Sequence, residues 1–261
     1  MYKYLLAVLG ICICFAFTYN NDTTTAVTTA KSIDNRLAKV KDGLYAWKTE
    51  VNNVDYAAFV THMKATTTNW QQYAVDSSNW RVTDVTNMPY EKYYHTHAAF
   101  ANYPVVNVTY NNAVAYCTYL TTLYNGDAKR KYKQVRFGLP TKAEWVYAAT
   151  AGNERNVYAS SLGFISSPKG KLYYNCANQN IVNKQGDSIQ YFTAACNSYM
   201  KNKIGLYNCS GNVAEMVAEQ GVAIGGSYTN KIQDCTVQST KTYTTSTPDI
   251  GFRVFMQVVE E

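Results

Sequence analysis

The stretch that decides the fold is Gly205-Leu206-Tyr207-Asn208-Cys209-Ser210-Gly211-Asn212-Val213-Ala214-Glu215. Its Asn and Gly residues indicate a tight turn, because Gly adopts left-handed backbone conformations freely and Asn tolerates them. Two shorter motifs follow, Gly225-Gly226-Ser227-Tyr228 and Gly251-Phe252-Arg253. Between and after the predicted helices the chain is irregular, with little periodicity at 153–204, so the sequence predicts an α+β domain with much loop.

The composition fits one globular domain of ordinary size, or at most two small ones. The chain has 261 residues, of which 47% are hydrophobic and 16% charged, and 24 are Tyr. A surface rich in Tyr, Asn and Thr suits a neutral ligand, either protein or carbohydrate. The net charge of +6 is spread along the chain. Its one dense basic cluster, at 129–133, is expected to be a solvated loop, so no nucleic-acid partner is expected.

The N-terminal residues predict export. Lys3 precedes an uncharged apolar run at 4–17, which is too short to span a bilayer and is typical of a signal peptide. Lipid attachment at Cys12 or Cys14 is disfavoured, because each follows an Ile. We therefore expect a signal peptide at 1–17, a polar tether at 18–42 and a domain at 43–261. The expected protein is exported (secreted, periplasmic or at the cell surface), with no transmembrane segment in the mature chain.

Three helices are predicted from capping residues and apolar spacing. The first begins at Asn53, the second follows 111–112 and ends before Gly126, and the third begins at Thr141 with a capping box to Glu144 and stops near Gly152. Their apolar faces comprise Tyr56, Phe59, Val60 and Met63, then Ala113, Tyr116, Cys117, Leu120 and Leu123, and then Trp145, Ala148 and Ala149. Short apolar runs at 104–110, 222–228 and 250–259 predict strands.

The order of these segments resembles the formylglycine-generating enzyme family, also called the sulfatase-modifying-factor family. The motifs that carry the resemblance are 45–53 (YAWKTEVNN), 104–117 (PVVNVTYNNAVAYC), 139–149 (LPTKAEWVYAA), 205–215, 225–228 and 251–253. It covers residues 43–257 and implies a loop-rich variant of the C-type-lectin-like fold.

The resemblance also raises the question of catalysis. Oxidases of this family convert a sulfatase cysteine to formylglycine with two copper-binding cysteines, three and eight residues beyond the Ser of the Gly-Gly-Ser segment. Counting from Ser227, those positions hold Asn230 and Cys235 here. Copper(I) prefers paired thiolates, so copper is not expected. The leading interpretation is an exported non-catalytic binding or scaffold protein. The alternative is an oxidase of the formylglycine-generating type that acts on a protein cysteine with an altered metal site, in which Cys235 is the remaining catalytic candidate.

The resemblance further implies a structural calcium site. Calcium binds six to eight oxygens, many of them from carbonyl groups in turns, and the turn at 208–215 offers such oxygens. Asn208 and Glu215 would bind through side chains, and Gly211 and Val213 through backbone carbonyls. A tight turn without an ion is the alternative. A second site would fall on Asn178 and Gln179, with a carboxylate near Asp187.

Five cysteines remain after removal of the signal peptide, so at least one is unpaired. Cys117 lies on an apolar helix face and is expected to be free. In relatives this cysteine can bridge to a residue after the Gly-Phe-Arg motif, a position held here by Val254. Two disulfides are hypothesised, Cys176–Cys196 and Cys209–Cys235, although four cysteines allow three connectivities.

Two further groups of residues have more than one interpretation. His95 and His97 would share one face of a strand and could bind a metal, but no third ligand is near, so a surface loop is favoured. Tyr90, Tyr93 and Tyr94 could form a stacking surface for a sugar or peptide, and packing explains them equally well.

Overall fold

The computed structural model describes residues 25–82, 90–159, 173–177 and 192–261. Within these ranges, eight short strands form two sheets, and five α-helices pack around them. The strands are β1 (Leu37–Lys41), β2 (Leu44–Trp47), β3 (Gln134–Gly138), β4 (Ala214–Met216), β5 (Val222–Ile224), β6 (Thr240–Thr242), β7 (Ile250–Phe252) and β8 (Phe255–Glu260). The helices are α1 (Ala30–Asp34), α2 (Asn53–Thr66), α3 (Tyr90–Tyr93), α4 (Tyr110–Gly126) and α5 (Lys142–Ala149).

The two sheets have four strands each and differ in topology. The first has the order β1-β2-β8-β3 and is antiparallel throughout. The second has the order β6-β5-β4-β7, with a parallel pairing between β4 and β7. That parallel pairing brings the end of the turn-rich segment 205–215 next to residues 251–253. Much of the remaining described chain is loop, which confirms the predicted α+β class.

The predicted helices all form, with small shifts at their ends. The capping box at α5 is confirmed: Thr141 Oγ1 accepts from the Glu144 N–H at 3.2 Å, and Glu144 Oε2 accepts from the Thr141 N–H at 2.9 Å. The side chain of Asn52 caps α2, one residue earlier than predicted. Thr109 caps α4, which runs on to include Gly126. Because a cap needs only a local hydrogen bond to the first turn, these signals could be recognised without tertiary information.

The polar tether predicted at 18–42 is wrong for its described part. Residues 25–42 contain α1 and β1, and Val27 and Ile33 are buried in the core. The Val27 N–H donates to Asp55 Oδ1 at 2.9 Å, and the Ala30 N–H donates to Asp127 Oδ2 at 2.8 Å. A few apolar residues spaced among Thr, Lys and Asp are enough to anchor this segment. The predicted signal peptide at 1–17 lies outside the described residues.

The strand predictions were partly wrong as well. Residues 104–109 contain an isolated bridge from Asn52 to Pro104, Asn107 has φ of 60°, and Tyr110 already belongs to α4. The run at 222–228 pairs only as β5, and the run at 250–259 divides into β7 and β8 around Arg253. Left-handed residues, Asn107 in the first run and Gly225 and Gly226 in the second, interrupt the backbone conformation that a ladder requires.

The main core lies between α2, α4 and the sheets and is strongly aromatic. The Tyr56 and Tyr116 rings stack with centroids 6.0 Å apart, and Phe59 meets Tyr116 edge-on at 5.5 Å. Phe252 of β7 contacts the same ring at 5.6 Å. These contacts confirm the predicted apolar faces of α2 and α4. The basic cluster at 129–133 lies in the turn between α4 and β3, with its lysines exposed. Within the described ranges, no helix has both the length and the apolar character needed to cross a bilayer.

Candidate functional site

The candidate site is built on the turn that leads into β4. Asn208, Gly211 and Asn212 all have positive φ, at 56°, 77° and 64°. A Cβ at Gly211 would lie 2.3 Å from the carbonyl oxygen of Asn175. Glycine is therefore required there by both conformation and space. The turn directs three polar side chains, those of Asn208, Asn212 and Glu215, into the interior.

A buried ion pair joins this turn to the segment after β7. Arg253 donates from Nε to Glu215 Oε2 at 3.0 Å and from Nη2 to Glu215 Oε1 at 2.6 Å. Trp145 Nε1 also donates to Glu215 Oε2, at 2.6 Å. The carboxylate of Glu215 thus accepts three hydrogen bonds. A charged group this deeply buried is tolerated only when it is paired and hydrogen-bonded in this way.

A second buried carboxylate, that of Glu50, completes the network. Its Oε1 accepts from Asn212 Nδ2 at 2.7 Å, and its Oε2 accepts from Asn208 Nδ2 at 3.2 Å. Burial raises the pKa of Glu50 to about 7; the Arg253 charge opposes this rise and the Glu215 charge adds to it. No sequence pattern assigned Glu50 a role. The available signal was an acidic residue beside the apolar residues Trp47 and Val51.

The network has an acceptor atom with no donor. Asn208 Nδ2 also donates to the Cys196 carbonyl at 2.9 Å, which fixes the orientation of the amide. Its Oδ1 is buried and has no hydrogen-bond partner within the described structure. Two carboxylates, Glu50 and Glu215, face a single guanidinium, that of Arg253. An unpaired oxygen beside surplus negative charge is an environment that fits a cation.

The neighbouring turn contains the position of the missing thiol. Asn230 Oδ1 accepts from the Ser227 N–H at 2.9 Å and from Ser227 Oγ at 2.8 Å. Ser227 Oγ also lies 3.2 Å from Asp249 Oδ2. Burial alone would raise the pKa of Asp249, but Lys241 and the surrounding hydroxyls hold it below its usual value. Asn230 therefore closes a hydrogen-bonded turn against a charged carboxylate.

This pair of turns occurs in a known family. Residues 21–258 match the sulfatase-modifying factor enzyme 1-like domain.

The chain belongs to this family.

Curated relatives agree with the assignment. The chain is 33% identical over 120 residues to the formylglycine-generating enzyme of Mus musculus, and 35% identical over 119 residues to that of Thermomonospora curvata. These matches cover 46% and 45% of the chain but only 28% and 34% of those enzymes. The matched region is thus about a third of each relative or less.

Solved structures share the fold at low sequence identity. CarF aligns with a TM-score of 0.56 and 22% identity over 82% of this chain and 86% of its own. The Treponema denticola variable protein 1 aligns with a TM-score of 0.54 and 17% identity, over 90% of this chain and 93% of its own. PvdO from Pseudomonas aeruginosa aligns with a TM-score of 0.53 and 18% identity, over 82% of this chain and 80% of its own. These likenesses establish the architecture of the sulfatase-modifying-factor fold.

The four residues expected to bind calcium lie together in this family member. Asn208, Gly211 and Val213 lie in the turn, and Glu215 lies on β4. Asn208 Oδ1 is free to accept, whereas both carboxylate oxygens of Glu215 already accept from Arg253. Among the described residues, no three His, Cys, Asp or Glu side chains cluster as metal ligands. A cation here would rely on amide and carbonyl oxygens and share Glu215 with Arg253. The second predicted site, at Asn178, Gln179 and Asp187, lies outside the described residues.

All five cysteines of the described chain are buried, and none is bonded to another in this structure. Cys117 lies on α4 within the main core. Cys209 packs with Trp145 and Ile224, whereas Cys235 packs with Cys176 and Tyr174. The thiols are therefore grouped differently from the hypothesised pairs Cys176–Cys196 and Cys209–Cys235.

His95 and His97 lie in different surroundings. His95 Nδ1 lies 3.0 Å from Asn53 Oδ1, and burial lowers the pKa of His95 to about 4. His97 is exposed and accepts from the Ala99 N–H through Nδ1 at 3.2 Å. His95 is therefore not part of a solvated surface loop, because its ring is held by Asn53.

The Tyr90, Tyr93 and Tyr94 cluster is mainly a packing feature. Tyr90 and Tyr94 are buried beside Trp80, and only Tyr93 is exposed, at 37%. A continuous stacking surface is therefore not formed by these rings.

Proposed function

We propose that this family member is an exported, non-catalytic binding or scaffold protein. The observation that carries the proposal is Asn230. It occupies the first copper-cysteine position of the family's oxidases, and its amide oxygen accepts two hydrogen bonds from Ser227. An amide engaged in this way supports the turn and offers no soft ligand to copper.

The remaining thiol supports the same proposal. Cys235 is completely buried, and burial raises its pKa to about 12. Its Sγ lies 3.6 Å from the Ser227 carbonyl oxygen. Because the thiolate is the reactive and metal-binding form of cysteine, such a thiol is a poor nucleophile and a poor ligand at neutral pH.

The test is incubation of the full chain with a sulfatase-motif cysteine peptide, copper and oxygen, followed by mass spectrometry of the peptide. We expect no formylglycine above a no-protein control. Asn230→Cys supplies the second thiol and serves as the matched variant; we expect it to gain copper binding without turnover. Formylglycine formed by the unmodified protein would establish the alternative, an oxidase that acts through Cys235 with an altered metal site.

A structural calcium ion is the second part of the proposal. Asn208 Oδ1, Glu215 and the carbonyls of Gly211 and Val213 would hold it. The unpartnered Asn208 oxygen and the surplus buried negative charge support this assignment. The ion would neutralise that charge and stabilise the two turns; it takes no chemical step.

The ligand proposal rests on a groove between α2 and α4. The groove has a volume of about 900 Å³, and none of the described residues that line it is Lys or Arg. The His62 and Tyr119 rings lie side by side in it, with centroids 5.0 Å apart. Asp127 is its one acidic residue, and both its carboxylate oxygens already accept from backbone N–H groups at 2.8 Å. Its hydroxyl-bearing walls comprise Thr28, Thr66, Thr67, Thr118, Thr122 and Tyr73.

Hydroxyls beside aromatic rings, with little free charge, suit a neutral ligand, and we propose a carbohydrate. The probe is a glycan array, with Thr118→Arg to block the groove and Thr242→Arg, exposed on β6, as the matched control. We expect binding that Thr118→Arg removes and Thr242→Arg leaves intact. An array without signal, or equal signal from both variants, would contradict the proposal that the groove binds a carbohydrate.

A further inference from the structure

We propose that Cys176 and Cys235 form a disulfide bond that joins the segment 173–177 to the turn at 225–235. Of the five cysteines in the described chain, these are the two that share a buried cluster, in which Tyr174 packs with them. Their exposed fractions are 1% and 0%. The pairing differs from both pairings that the sequence suggested.

The backbone holds the two segments next to each other. Ala177 and Lys231 form a parallel bridge, and the Ala177 N–H donates to the Asn230 carbonyl at 2.8 Å. Cys235 Sγ lies 3.9 Å from that same Asn230 oxygen. The residue that follows Cys176 and the sulfur of Cys235 thus contact one shared atom.

Gly226 of the turn packs directly against Cys235. A Cβ at Gly226 would lie 2.8 Å from Cys235 Sγ and 2.7 Å from its Cα. Any larger residue would displace Cys235, so Gly226 allows this close approach. Cys176 lies near enough to Cys235 that a thiolate at Cys176 would raise the pKa of Cys235 further, beyond the effect of burial.

The other thiols have different neighbours. Cys209 Sγ lies 3.6 Å from the Tyr207 carbonyl oxygen, inside the cluster that contains Trp145. Cys196 lies at the buried polar network, where its carbonyl accepts from Asn208 Nδ2. Neither shares a buried hydrophobic cluster with Cys176 or Cys235 within the described chain.

The chemistry is a two-electron oxidation. The two S–H groups lose two protons and two electrons, one S–S bond forms, and a disulfide oxidant such as glutathione disulfide is reduced to two thiols. Burial raises the pKa of Cys176 to about 11 and that of Cys235 to about 12. Because exchange requires a thiolate, the bond forms while the chain folds, before the pair is buried, and resists exchange afterwards.

The bond would also stabilise the candidate site. Asn175 precedes Cys176, and its Nδ2 donates to Asn212 Oδ1 at 3.0 Å, while its carbonyl accepts from the Asn212 N–H at 2.7 Å. Asn212 in turn donates to Glu50. A bond at Cys176 therefore fixes the segment that holds Asn212 in place.

The experiment refolds the reduced full chain in a glutathione redox buffer and maps its peptides without reduction. We expect a linked peptide that contains Cys176 and Cys235, absent from Cys176→Ala and retained in the matched variant Cys209→Ala. The melting temperature of the wild type should fall by about 10 °C on reduction, and that of Cys176→Ala should not depend on the redox buffer.

Two results would overturn the proposal. One is a linked peptide joining Cys176 to Cys196 or Cys209 to Cys235. The other is alkylation of both Cys176 and Cys235 in the refolded, oxidised wild-type chain after unfolding. Both outcomes are read from the wild type, so they do not depend on whether a variant folds.

Discussion

Arg253 and Glu215 form a bidentate ion pair inside the protein, with side chains that are 0% and 1% exposed. Arg253 follows β7 and Glu215 lies on β4, the two strands that pair in parallel. Arg253 Nη1 also donates to the Trp47 carbonyl at 2.9 Å, at the end of β2. One side chain therefore links both sheets to the candidate site.

Arg253→Met should strongly destabilise the fold. It removes the cation and leaves the buried Glu215 carboxylate without a counter-charge, although Trp145 Nε1 still donates to it. Loss of one partner of a buried ion pair costs about 3–5 kcal/mol in comparable cases. Unfolding by urea measures the change in the free energy of unfolding. The matched control is Lys39→Met, which breaks the exposed Lys39–Asp42 pair and should leave the urea midpoint unchanged. Equal midpoints for the two variants would contradict the role assigned to Arg253.

Calcium should raise the melting temperature, because a ligand that binds only the folded state stabilises it by mass action. Asn208→Asp adds a charged oxygen at the site, so the difference between calcium and chelator should become larger in that variant. Asn111→Asp adds the same charge on the exposed first turn of α4 and serves as the control. Identical melting curves of the wild type with saturating calcium and with chelator would remove the ion from the proposal.

Glu50 should make the fold less stable as the pH rises. Its pKa is raised to about 7 in the folded protein, against an ordinary 4.5. Between about pH 4.5 and pH 7, the folded carboxyl keeps a proton that the unfolded carboxyl has lost. The stabilisation that the protonated Glu50 gives to the fold is therefore fully present below about pH 4.5 and is lost as the pH rises to about 7. Relative to wild type, Glu50→Gln should gain on the order of 3 kcal/mol of stability between pH 4 and pH 8.

Urea unfolding in the presence of chelator measures this difference. Asp55 (pKa raised to about 6, mainly by burial) and His95 (pKa lowered to about 4 by burial) also titrate in this range. Both are present in the two proteins, so their contributions cancel in the comparison. A difference between Glu50→Gln and wild type that is constant with pH would show that folding does not raise the pKa of the Glu50 carboxyl.

Gly211→Ala should cost several kcal/mol, because it places a Cβ 2.3 Å from the Asn175 carbonyl oxygen at a φ of 77°. Gly126→Ala is the matched control. Gly126 ends α4 and has nothing within 4 Å of a built Cβ, so this change should stabilise by about 0.5–1 kcal/mol. The midpoint of chemical unfolding for each variant checks both expectations. Similar midpoints for the two variants would mean that the turn can relax around Gly211.

Local signals made part of this structure predictable. The capping box of Thr141 and Glu144 and the apolar face of α4 depend on neighbours in sequence, and both were found from the residues alone. Glu50 was missed because its burial depends on Asn208 and Asn212, which are far away in the chain. No periodicity reveals a carboxylate that distant turns enclose.

The short strands were hard to predict for a related reason. Strands of three residues, such as β4 and β7, are too short to show a period of two. The proximity of Cys176 to Cys235 likewise follows from where two turns meet, which spacing in the sequence does not encode. The residues of the candidate calcium site could be named only through the family resemblance.

The position of β8 has a consequence for how the chain acquires its structure. β8 lies between β2 and β3 in the first sheet, so residues 255–260 join strands that were made at 44–47 and 134–138. Until those six residues arrive, β2 and β3 each present an unpaired edge, and Trp47 lacks its partner at Val254. Closing loops this long is slow, and open strand edges favour association between chains. The residues made before β8 should therefore depend on chaperones until this strand is inserted.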